Sequence, residues 1–359
     1  MSNIKKHFLH SRYQVFEESG KPFQFVEKDV FLDVKPGEVV VKILQATICG
    51  SDLHTIEGKR IENVPCILGH EAVGEIVEIS GRKGFAVGDR ITWTIADSCG
   101  HCPACIEYGL PEKCSELFKY GHASLASGTG LNGCYASHLF IRKGTHIVKI
   151  PNAVTNGIAA PANCALATMV NAIAQLKSKP RRVLIQGGGL LGIYGCGMLK
   201  EMGVPQIFCS EVNEGRFDLI RSFGAIPVDT RNSENAANLI LEQTSEGVDA
   251  IFEVAGVKEL IPQGLKLLRP GGEYILAGLV HPDSQLNITA EQIIRKCISI
   301  KGVHNYAPWH LDKAVAFLER NISVFPFEDL VSPPYKLDNL QEAVSEARKH
   351  NWMRVSIKP

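Results

Sequence analysis

A glycine pattern in the middle of the chain constrains the fold more than any other feature. Gly187, Gly189 and Gly192 follow an apolar segment at residues 183–186 and precede a helical pattern at residues 190–202. In such a loop one glycine makes the tight turn, the next lets the backbone approach a pyrophosphate, and the last lets the helix pack on the strand. The sequence therefore predicts a dinucleotide-binding βαβ unit whose helix N-terminus faces the phosphates.

The residues around this loop predict which dinucleotide is bound. Leu190 and Leu191 begin the helix beside the glycines, and we expect both to contact the cofactor. Glu211 ends the next predicted strand. A carboxylate at that place accepts hydrogen bonds from ribose hydroxyls and repels a 2′-phosphate, which favours NAD over NADP. Arg216, which follows Glu211 closely, is a further candidate cofactor-binding residue.

The order of predicted elements divides the chain. Short apolar runs separated by Gly, Pro and Asp predict an all-β region before residue 159. Strands then alternate with helices, which predicts a doubly wound parallel sheet. A helix at residues 310–320 and mixed short elements follow. The expected fold class is α/β, with a β-rich domain at residues 1–165, a NAD-binding domain at 166–304 and a return segment at 305–359.

Composition excludes some classes of partner. Lys+Arg and Asp+Glu both number 38, so the formal net charge is zero and a strongly basic nucleic-acid binder is excluded. The N-terminal residues lack the apolar core of an export signal, and no apolar run is long enough to span a membrane. We therefore expect a cytoplasmic protein that has neither nucleic acid nor a membrane as a partner.

The cysteines predict a metal site. The chain has 11 cysteines and no export signal, which argues against a disulfide framework. Four of them form the pattern C-x2-C-x2-C-x8-C, namely Cys99, Cys102, Cys105 and Cys114. This spacing predicts a closed, tetrahedral structural zinc site. An iron–sulfur cluster is the competing interpretation, but its last cysteine usually follows more closely and precedes a proline.

A second set of metal-binding side chains is dispersed. Cys49 and His70 each lie next to a glycine, and both are ligand types that zinc accepts. An open catalytic zinc site needs three protein ligands and one exchangeable position. Asp52 is a candidate for orienting the His70 imidazole from behind.

Taken in order, these features resemble the zinc-dependent medium-chain alcohol dehydrogenases over nearly the whole chain. The resemblance rests on Cys49-x-Ser51-Asp52-x-His54, on Gly69-His70-Glu71 with Gly74, on the four-cysteine group and on the glycine loop. It implies that the β-rich domain is a GroES-like catalytic domain, that NAD is the cofactor and that each chain binds two zinc ions. It also implies that Cys49 and His70 bind the catalytic zinc.

The third ligand of that zinc depends on how residues 160–168 are aligned. On the polyol-dehydrogenase pattern Ala160 stands where a glutamate binds the metal, and alanine cannot replace it. On the alcohol-dehydrogenase pattern Cys164 is the ligand and Thr168 lies near the nicotinamide. The separation between Cys164 and Gly187 agrees better with the second pattern, so Cys164 is the predicted ligand.

The resemblance also implies catalytic roles. Zinc polarises the alcohol oxygen and the hydride passes to NAD. Ser51 takes the proton and His54 releases it at the surface, since imidazole titrates near neutral pH. Glu71 either approaches the metal or only balances local charge, and Arg354 either binds the pyrophosphate or is a solvated surface residue.

The substrate stays open among alcohols and carbonyl compounds. By resemblance Ser51, Ile95 and Tyr135 line its pocket. Residues 303–310 are similar to a subgroup associated with phosphonate catabolism, in which Lys59 and Arg60 either meet an anion or are solvated loop charges. The alternatives are a polyol or hydroxy-phosphonate dehydrogenase and, in another class, a non-catalytic nucleotide-binding relative. The family also implies a homodimer or homotetramer that pairs the edge strand near residues 298–300.

Overall fold

A computed structural model of the chain describes residues 5–359. Its strands are β1 (Lys5–Val15), β2 (Gln24–Val34), β3 (Val39–Ile48), β4 (Glu71–Ile79), β5 (Arg90–Trp93), β6 (His138–Ile141), β7 (Ile147–Lys149), β8 (Arg182–Gln186), β9 (Gln206–Glu211), β10 (Ile226–Asp229), β11 (Val248–Glu253), β12 (Leu268–Leu276), β13 (Ser299–Gly302), β14 (Tyr335–Lys336) and β15 (Val355–Lys358). Its α-helices are α1 (Gly50–Ile56), α2 (Pro103–Ile106), α3 (Asn156–Ala159), α4 (Ala165–Ala174), α5 (Leu190–Glu201), α6 (Phe217–Ser222), α7 (Ser233–Thr244), α8 (Leu260–Leu267), α9 (Ala290–Lys296), α10 (Pro308–Asn321) and α11 (Leu340–Ala347).

The described residues divide into two compact units. The first extends to Cys164 and also includes Ala307–Ile322 and Phe327–Pro359. It holds a seven-stranded sheet with the order β14-β15-β3-β4-β5-β7, in which β6 also pairs with β3. A separate hairpin is formed by β1 and β2. Alternate residues of β3 enter different apolar clusters, Val40 on one face and Val39 and Val41 on the other, so both faces of this strand are buried.

The second unit comprises Ala165–Tyr306 and Ser323–Pro326. Its six-stranded sheet has the order β10-β9-β8-β11-β12-β13, and every pair is parallel. The chain leaves β8 towards β9 on one side and later returns to β11 on the other. Ligands of open α/β sheets bind at such a reversal, outside the carboxyl ends of the strands. The glycine loop follows β8 at this reversal.

The expected α/β class, a β-rich domain with a parallel-sheet domain, is confirmed. The prediction that the early region is all-β was wrong in detail, because α1 directly follows β3 and α3 follows β7. In α1 the Asp52 carboxylate accepts a hydrogen bond from the backbone N–H of Cys49 (2.9 Å) and caps the helix. A helix of 7 residues is too short to give a clear period in the sequence.

Among residues 5–359, no single helix is long and apolar enough to cross a membrane. One bent pair of helical segments, Asn156–Asn163 with Ala165–Ala174, is long and apolar enough when the two are taken together, by length and composition only.

Candidate active site

Four side chains in the first unit converge on one point. The ligand atoms of Cys49, His70, Glu71 and Cys164 all lie within 4.8 Å of one another. The two sulfur atoms are 4.0 Å apart. Two thiolates that share a tetrahedral zinc at bond lengths of about 2.3 Å lie about 3.8 Å apart. This donor set therefore fits a zinc ion in type and in spacing.

The sheet brings these donors together. Cys49 follows the end of β3 and His70 precedes the start of β4, and these antiparallel strands pair Thr47 with Glu71. The two ligands therefore emerge at the same end of the sheet. Asn163 fixes the segment that carries Cys164, because its side-chain amide donates hydrogen bonds to the backbone oxygens of His70 and Trp93, both at 2.9 Å.

Asp52 supports the donor set from behind. One carboxylate oxygen accepts hydrogen bonds from the Cys49 N–H and the Tyr135 hydroxyl, both at 2.9 Å. The other oxygen lies 3.4 Å from His70 Nδ1, an electrostatic contact longer than a well-formed hydrogen bond. The Nε2 side of the imidazole is thereby left for a metal.

Electrostatics at this point favour a bound cation. A hydrogen bond from the Cys164 thiol, assisted by the charge of Arg354, holds the pKa of Cys49 well below its usual range. Burial acts to lower the pKa of His70, but Asp52 and Cys49 outweigh it and raise this pKa to about 10. The negative charges that favour a proton on the His70 imidazole also favour a divalent metal ion in place of that proton.

Glu71 is held in a buried ion pair. Its two oxygens accept hydrogen bonds from Nε (2.8 Å) and Nη2 (3.0 Å) of Arg354, and Thr47 donates to it at 2.6 Å. Burial raises the pKa of Glu71 to about 7, against the opposing charge of Arg354. Arg354 Nη2 also lies 3.5 Å from the Cys49 sulfur.

The four-cysteine segment forms a second cluster. The sulfur atoms of Cys99, Cys102, Cys105 and Cys114 lie within 4.8 Å of one another. Backbone N–H groups point at these sulfur atoms, from Cys99 to Cys114 at 3.2 Å and from Cys102 to Cys99 at 3.3 Å. Such donors stabilise thiolates, so the cluster fits a closed zinc site.

The glycine loop of the second unit has the shape of a phosphate cradle. Gly187 has φ +110°, and a Cβ there would lie 2.9 Å from the Cα of Ala255. A Cβ on Gly192 would lie 1.9 Å from the carbonyl oxygen of Gly187, so only glycine allows α5 to pack this closely on the loop. Gly189 caps α5 and has nothing within 4 Å of its Cβ position. The backbone is therefore open to a ligand at the helix N-terminus.

Glu211 lies at the end of β9 and is buried. Its Oε1 accepts hydrogen bonds from the N–H groups of Val212 (2.8 Å) and Asn213 (2.9 Å), and its Oε2 pairs with Arg216 at 3.1 Å. These contacts fix the carboxylate. It lies beside the glycine loop, since a Cβ on Gly188 would be 2.9 Å from its Oε2.

The remaining predicted site residues lie on helices. In α1, Ser51 is half-buried in the first turn and His54 is exposed, so the two occupy one face a turn apart. In the second unit, Leu190 is buried and Leu191 half-buried at the start of α5, and Thr168 is half-buried on α4.

Comparison with known proteins agrees with this geometry. Residues 35–152 match the model of the alcohol dehydrogenase GroES-like domain, and residues 191–320 match that of the zinc-binding dehydrogenases. The chain belongs to the zinc-dependent medium-chain alcohol dehydrogenase family. This dehydrogenase is an oxidoreductase that acts on the CH–OH group of a small molecule, with zinc and a nicotinamide cofactor.

Individual relatives are distant but cover most of the chain. It is 27% identical to L-threonine 3-dehydrogenase from Vibrio cholerae over 85% of this chain and 87% of the relative. It is 26% identical to D-arabinitol dehydrogenase 1 from Uromyces fabae over 96% of each. The solved structure of an alcohol dehydrogenase from Thermotoga maritima superimposes with a TM-score of 0.92 at 27% identity, covering 98% of this chain and 100% of that one.

Sequence reasoning misassigned one residue of this dehydrogenase and missed others. Tyr135 was expected to line the substrate pocket, but it is fully buried and its hydroxyl donates to Asp52. The ring of His122 stacks on that of His70, and Glu62 binds His122, although neither residue was singled out. Lys59 pairs with Glu57 at 2.8 Å, as expected of a solvated loop charge. No spacing in the sequence signals these contacts.

Proposed function

We propose that this dehydrogenase interconverts an alcohol or polyol and its carbonyl product with NAD, and that Cys49, His70 and Cys164 hold the catalytic zinc. The convergence of these donors with Glu71 within 4.8 Å is the observation that carries the proposal. Zinc, when bound, supplies a Lewis acid that polarises the substrate oxygen, and NAD supplies the hydride acceptor. One exchangeable position beside three protein ligands suits this chemistry.

Ser51 and His54 form the proposed path for the proton. Ser51 follows the ligand Cys49 closely and takes the proton of the substrate hydroxyl. His54 is exposed and releases that proton to water. The cofactor ribose connects the two, as the family resemblance implies. The support for this path is the position of both residues on one face of α1.

Glu71 and Arg354 complete the proposed centre. Arg354 holds the Glu71 carboxylate by two hydrogen bonds, which fixes a negative charge beside the metal donors. Glu71 would either serve as a further oxygen donor to the metal or balance the local charge, the two roles that the family resemblance allows. Arg354 is not the solvated surface residue that was the other interpretation, because its side chain is 10% exposed and pairs with Glu71. Its contact with the cofactor pyrophosphate stays a proposal that rests on the family resemblance.

NAD is the proposed cofactor because of Glu211. Its carboxylate is held at the end of β9 by backbone N–H groups and Arg216, so it cannot swing away from a 2′-phosphate at little cost. Gly187, Gly189 and Gly192 form the proposed pyrophosphate cradle, with Thr168 near the nicotinamide. Cys99, Cys102, Cys105 and Cys114 are proposed to hold a second, structural zinc.

Assembly, location and domain limits are further proposals. β13 lies at an end of the parallel sheet, so a second copy pairing there would cover its edge in a homodimer or homotetramer. All 11 cysteines are free thiols, which suits the cytoplasm. We retain residues 1–165 and 305–359 as the catalytic domain and 166–304 as the NAD-binding domain.

A substrate panel tests the function. The zinc-loaded protein is mixed with NAD and with simple alcohols, polyols, L-threonine or a hydroxy-phosphonate, and NADH is followed by its absorbance. Formation of NADH with at least one class, and its loss in Cys49→Ala, is the expected result. Binding of NADH by fluorescence without turnover of any class would overturn the proposal and favour a non-catalytic relative.

A further inference from the structure

A further group of metal-binding side chains lies at the surface, beside the four-cysteine cluster. Ligand atoms of Cys99, His101 and Glu116 all lie within 4.8 Å of one another. The side chains of His101 and Glu116 are 68% and 66% exposed, whereas Cys99 is half-buried. Cys99 also belongs to the four-cysteine cluster. These three residues, the outer triad, therefore connect that cluster to solvent.

Backbone contacts with the cluster place both exposed donors of the outer triad. The N–H of His101 points at the sulfur atom of Cys99 (3.5 Å), and the N–H of Glu116 points at that of Cys114 (3.3 Å). Each exposed side chain is therefore attached to a backbone group that a cluster sulfur holds. The turns that build the cluster also fix the outer triad, although its two outer side chains reach into water.

The imidazole of His101 is oriented like that of a metal ligand. Its Nδ1 lies 3.2 Å from the backbone carbonyl oxygen of Cys99, an atom that only accepts hydrogen bonds. Metal-binding histidines commonly donate one ring N–H to a backbone carbonyl and bind the metal through the other nitrogen. The hydrogen-bond network thereby assigns Nε2 as the ligand atom, and this nitrogen faces Glu116.

The spacing between His101 and Glu116 fits a shared zinc ion. Nε2 of the imidazole and Oε1 of the carboxylate are 3.6 Å apart, which is too long for a well-formed hydrogen bond. Two ligands that bind one tetrahedral zinc at about 2.0–2.1 Å lie about 3.4 Å apart. Imidazole, carboxylate and thiolate are all ligand types that zinc accepts. The outer triad therefore fits zinc in type and in spacing.

The shared sulfur atom of Cys99 determines what the outer triad can do. The four-cysteine site needs this sulfur as one of its ligands, so an ion in the outer triad competes with an ion in the cluster. A closed site with four thiolates holds zinc more firmly than one thiolate with two solvated donors. An ion from solution meets His101 and Glu116 first, because the remaining cysteines are less exposed. Through Cys99 it moves inward by exchanging one ligand at a time.

We propose that Cys99, His101 and Glu116 form a loading site, at which a zinc ion from solution binds before it passes to the four-cysteine cluster. This inference rests on the structural zinc of the proposed function and gives His101 and Glu116 a part in its exchange. The other three cysteines replace the imidazole and the carboxylate as ligands, and any thiol protons leave to water. The ion keeps its charge, and nothing is oxidised or reduced. Release follows the same steps in reverse.

Isotope exchange measures this passage without reference to activity. The zinc-loaded protein is mixed with an excess of isotopically enriched zinc, and the original zinc that remains per chain is followed by mass spectrometry. The catalytic site should exchange in a fast phase and the four-cysteine site in a slow phase, because only the catalytic site keeps an open position. The rate of the slow phase is the quantity compared between variants.

Three variants and one control separate a ligand role from a surface ion pair. His101→Gln and Glu116→Gln each remove one exposed donor, whereas His101→Cys replaces the imidazole by a thiolate, another zinc ligand. His10→Gln is the matched control, because His10 forms an exposed pair with Asp29 in the same unit, away from the cysteines. Total zinc and alcohol oxidation are measured for every protein.

We expect the slow phase to be about tenfold slower in His101→Gln and in Glu116→Gln, since each lacks a ligand of the intermediate. His101→Cys should exchange faster than His101→Gln, and His10→Gln should match the wild type. Every variant should hold two zinc ions and oxidise alcohol at the wild-type rate, because entry and release change together.

Unchanged exchange in both His101→Gln and Glu116→Gln would make these residues an ordinary surface ion pair and overturn the inference. Equal slowing in His10→Gln would overturn it too, since that pair is remote from the cluster. A rate in His101→Cys no faster than in His101→Gln would have the same consequence, because the imidazole would then not act as a metal ligand.

These results are distinguishable from failure of the proposed function. If the wild type holds two zinc ions and all variants exchange them alike, the structural zinc stands and only the loading site fails. If metal analysis of the fully loaded wild type finds one zinc ion per chain, the structural zinc of the proposed function itself fails.

Discussion

Arg354 donates two hydrogen bonds to Glu71, of 2.8 and 3.0 Å, at the point where the candidate zinc donors converge. Glu71 is fully buried and the Arg354 side chain is 10% exposed. The two residues are 283 positions apart in the chain. The last segment of the protein therefore completes the environment of a centre that begins at Cys49.

Removing Arg354 should cost much more stability than removing an exposed arginine. Arg354→Met leaves Glu71 buried without a counter-charge, and we expect the free energy of unfolding to fall by about 3–5 kcal/mol. Arg348→Met is the matched control, because its pair with Glu57 is exposed and should be worth about 0–1 kcal/mol. Denaturant titration of both variants makes the comparison. Equal losses would show that the Glu71–Arg354 pair contributes no more than a surface ion pair.

The two proposed zinc ions should leave at different rates. Four cysteine ligands would close the proposed site of Cys99, Cys102, Cys105 and Cys114, whereas three ligands at the proposed Cys49 site would leave a position open to exchange. A chelator should therefore abolish activity while about one zinc per chain remains and the far-ultraviolet circular dichroism is unchanged. Metal analysis at timed intervals checks this order. Simultaneous loss of both metals with unfolding would contradict it.

Glu211 should set the choice between NAD and NADP. Glu211→Gln keeps an acceptor for the backbone N–H groups but removes the charge that repels a 2′-phosphate, so the preference for NAD should narrow by about tenfold, or ~1.4 kcal/mol. Glu214→Gln is the control, because Glu214 lies on the following turn and pairs with Arg231. It should leave the ratio of the kcat/KM values for NAD and NADP unchanged. Equal use of both cofactors by the wild type would refute the assignment.

The proposed proton path predicts unequal effects within α1. Ser51→Ala should nearly abolish alcohol oxidation with both zinc ions retained, because no other side chain of the path replaces its hydroxyl. His54→Gln should cost less, within the ~10²- to 10⁴-fold typical of acid–base groups, since water and buffer reach this exposed position.

Added imidazole should restore part of the His54→Gln rate, most strongly below about pH 7, where hydroxide is too scarce to accept the proton. His10→Gln, at another exposed position that pairs with Asp29, is the control. A rate deficit that no buffer changes at any pH would remove His54 from the path.

Local sequence patterns predict much of the fold. The glycine loop could be placed between β8 and α5 because strand, turn and helix are adjacent in the chain and each has its own signal. The α1 helix could not, because its 7 residues are too few to show a helical period in the sequence. Its stability comes from the Asp52 cap and from burial, which depend on tertiary contacts.

Long-range contacts at the site had no such signal. Glu62 and His122 are brought together by the bridge between Cys66 and Ser124, and His122 meets His70 through the Gly69–Gly121 contact. Nothing in the spacing of these residues along the chain predicts that pairing. Tyr135 was misassigned for the same reason, since burial behind Asp52 is decided by the packing of the sheet.

The zinc content of Cys164→Ala tests the central claim most directly. Cys66→Ala is the control, because Cys66 lies in the same unit but outside the convergent donors. The account predicts two zinc ions and full turnover for Cys66→Ala, and one zinc ion without alcohol oxidation for Cys164→Ala. A folded Cys164→Ala protein that keeps two zinc ions and turnover would contradict it.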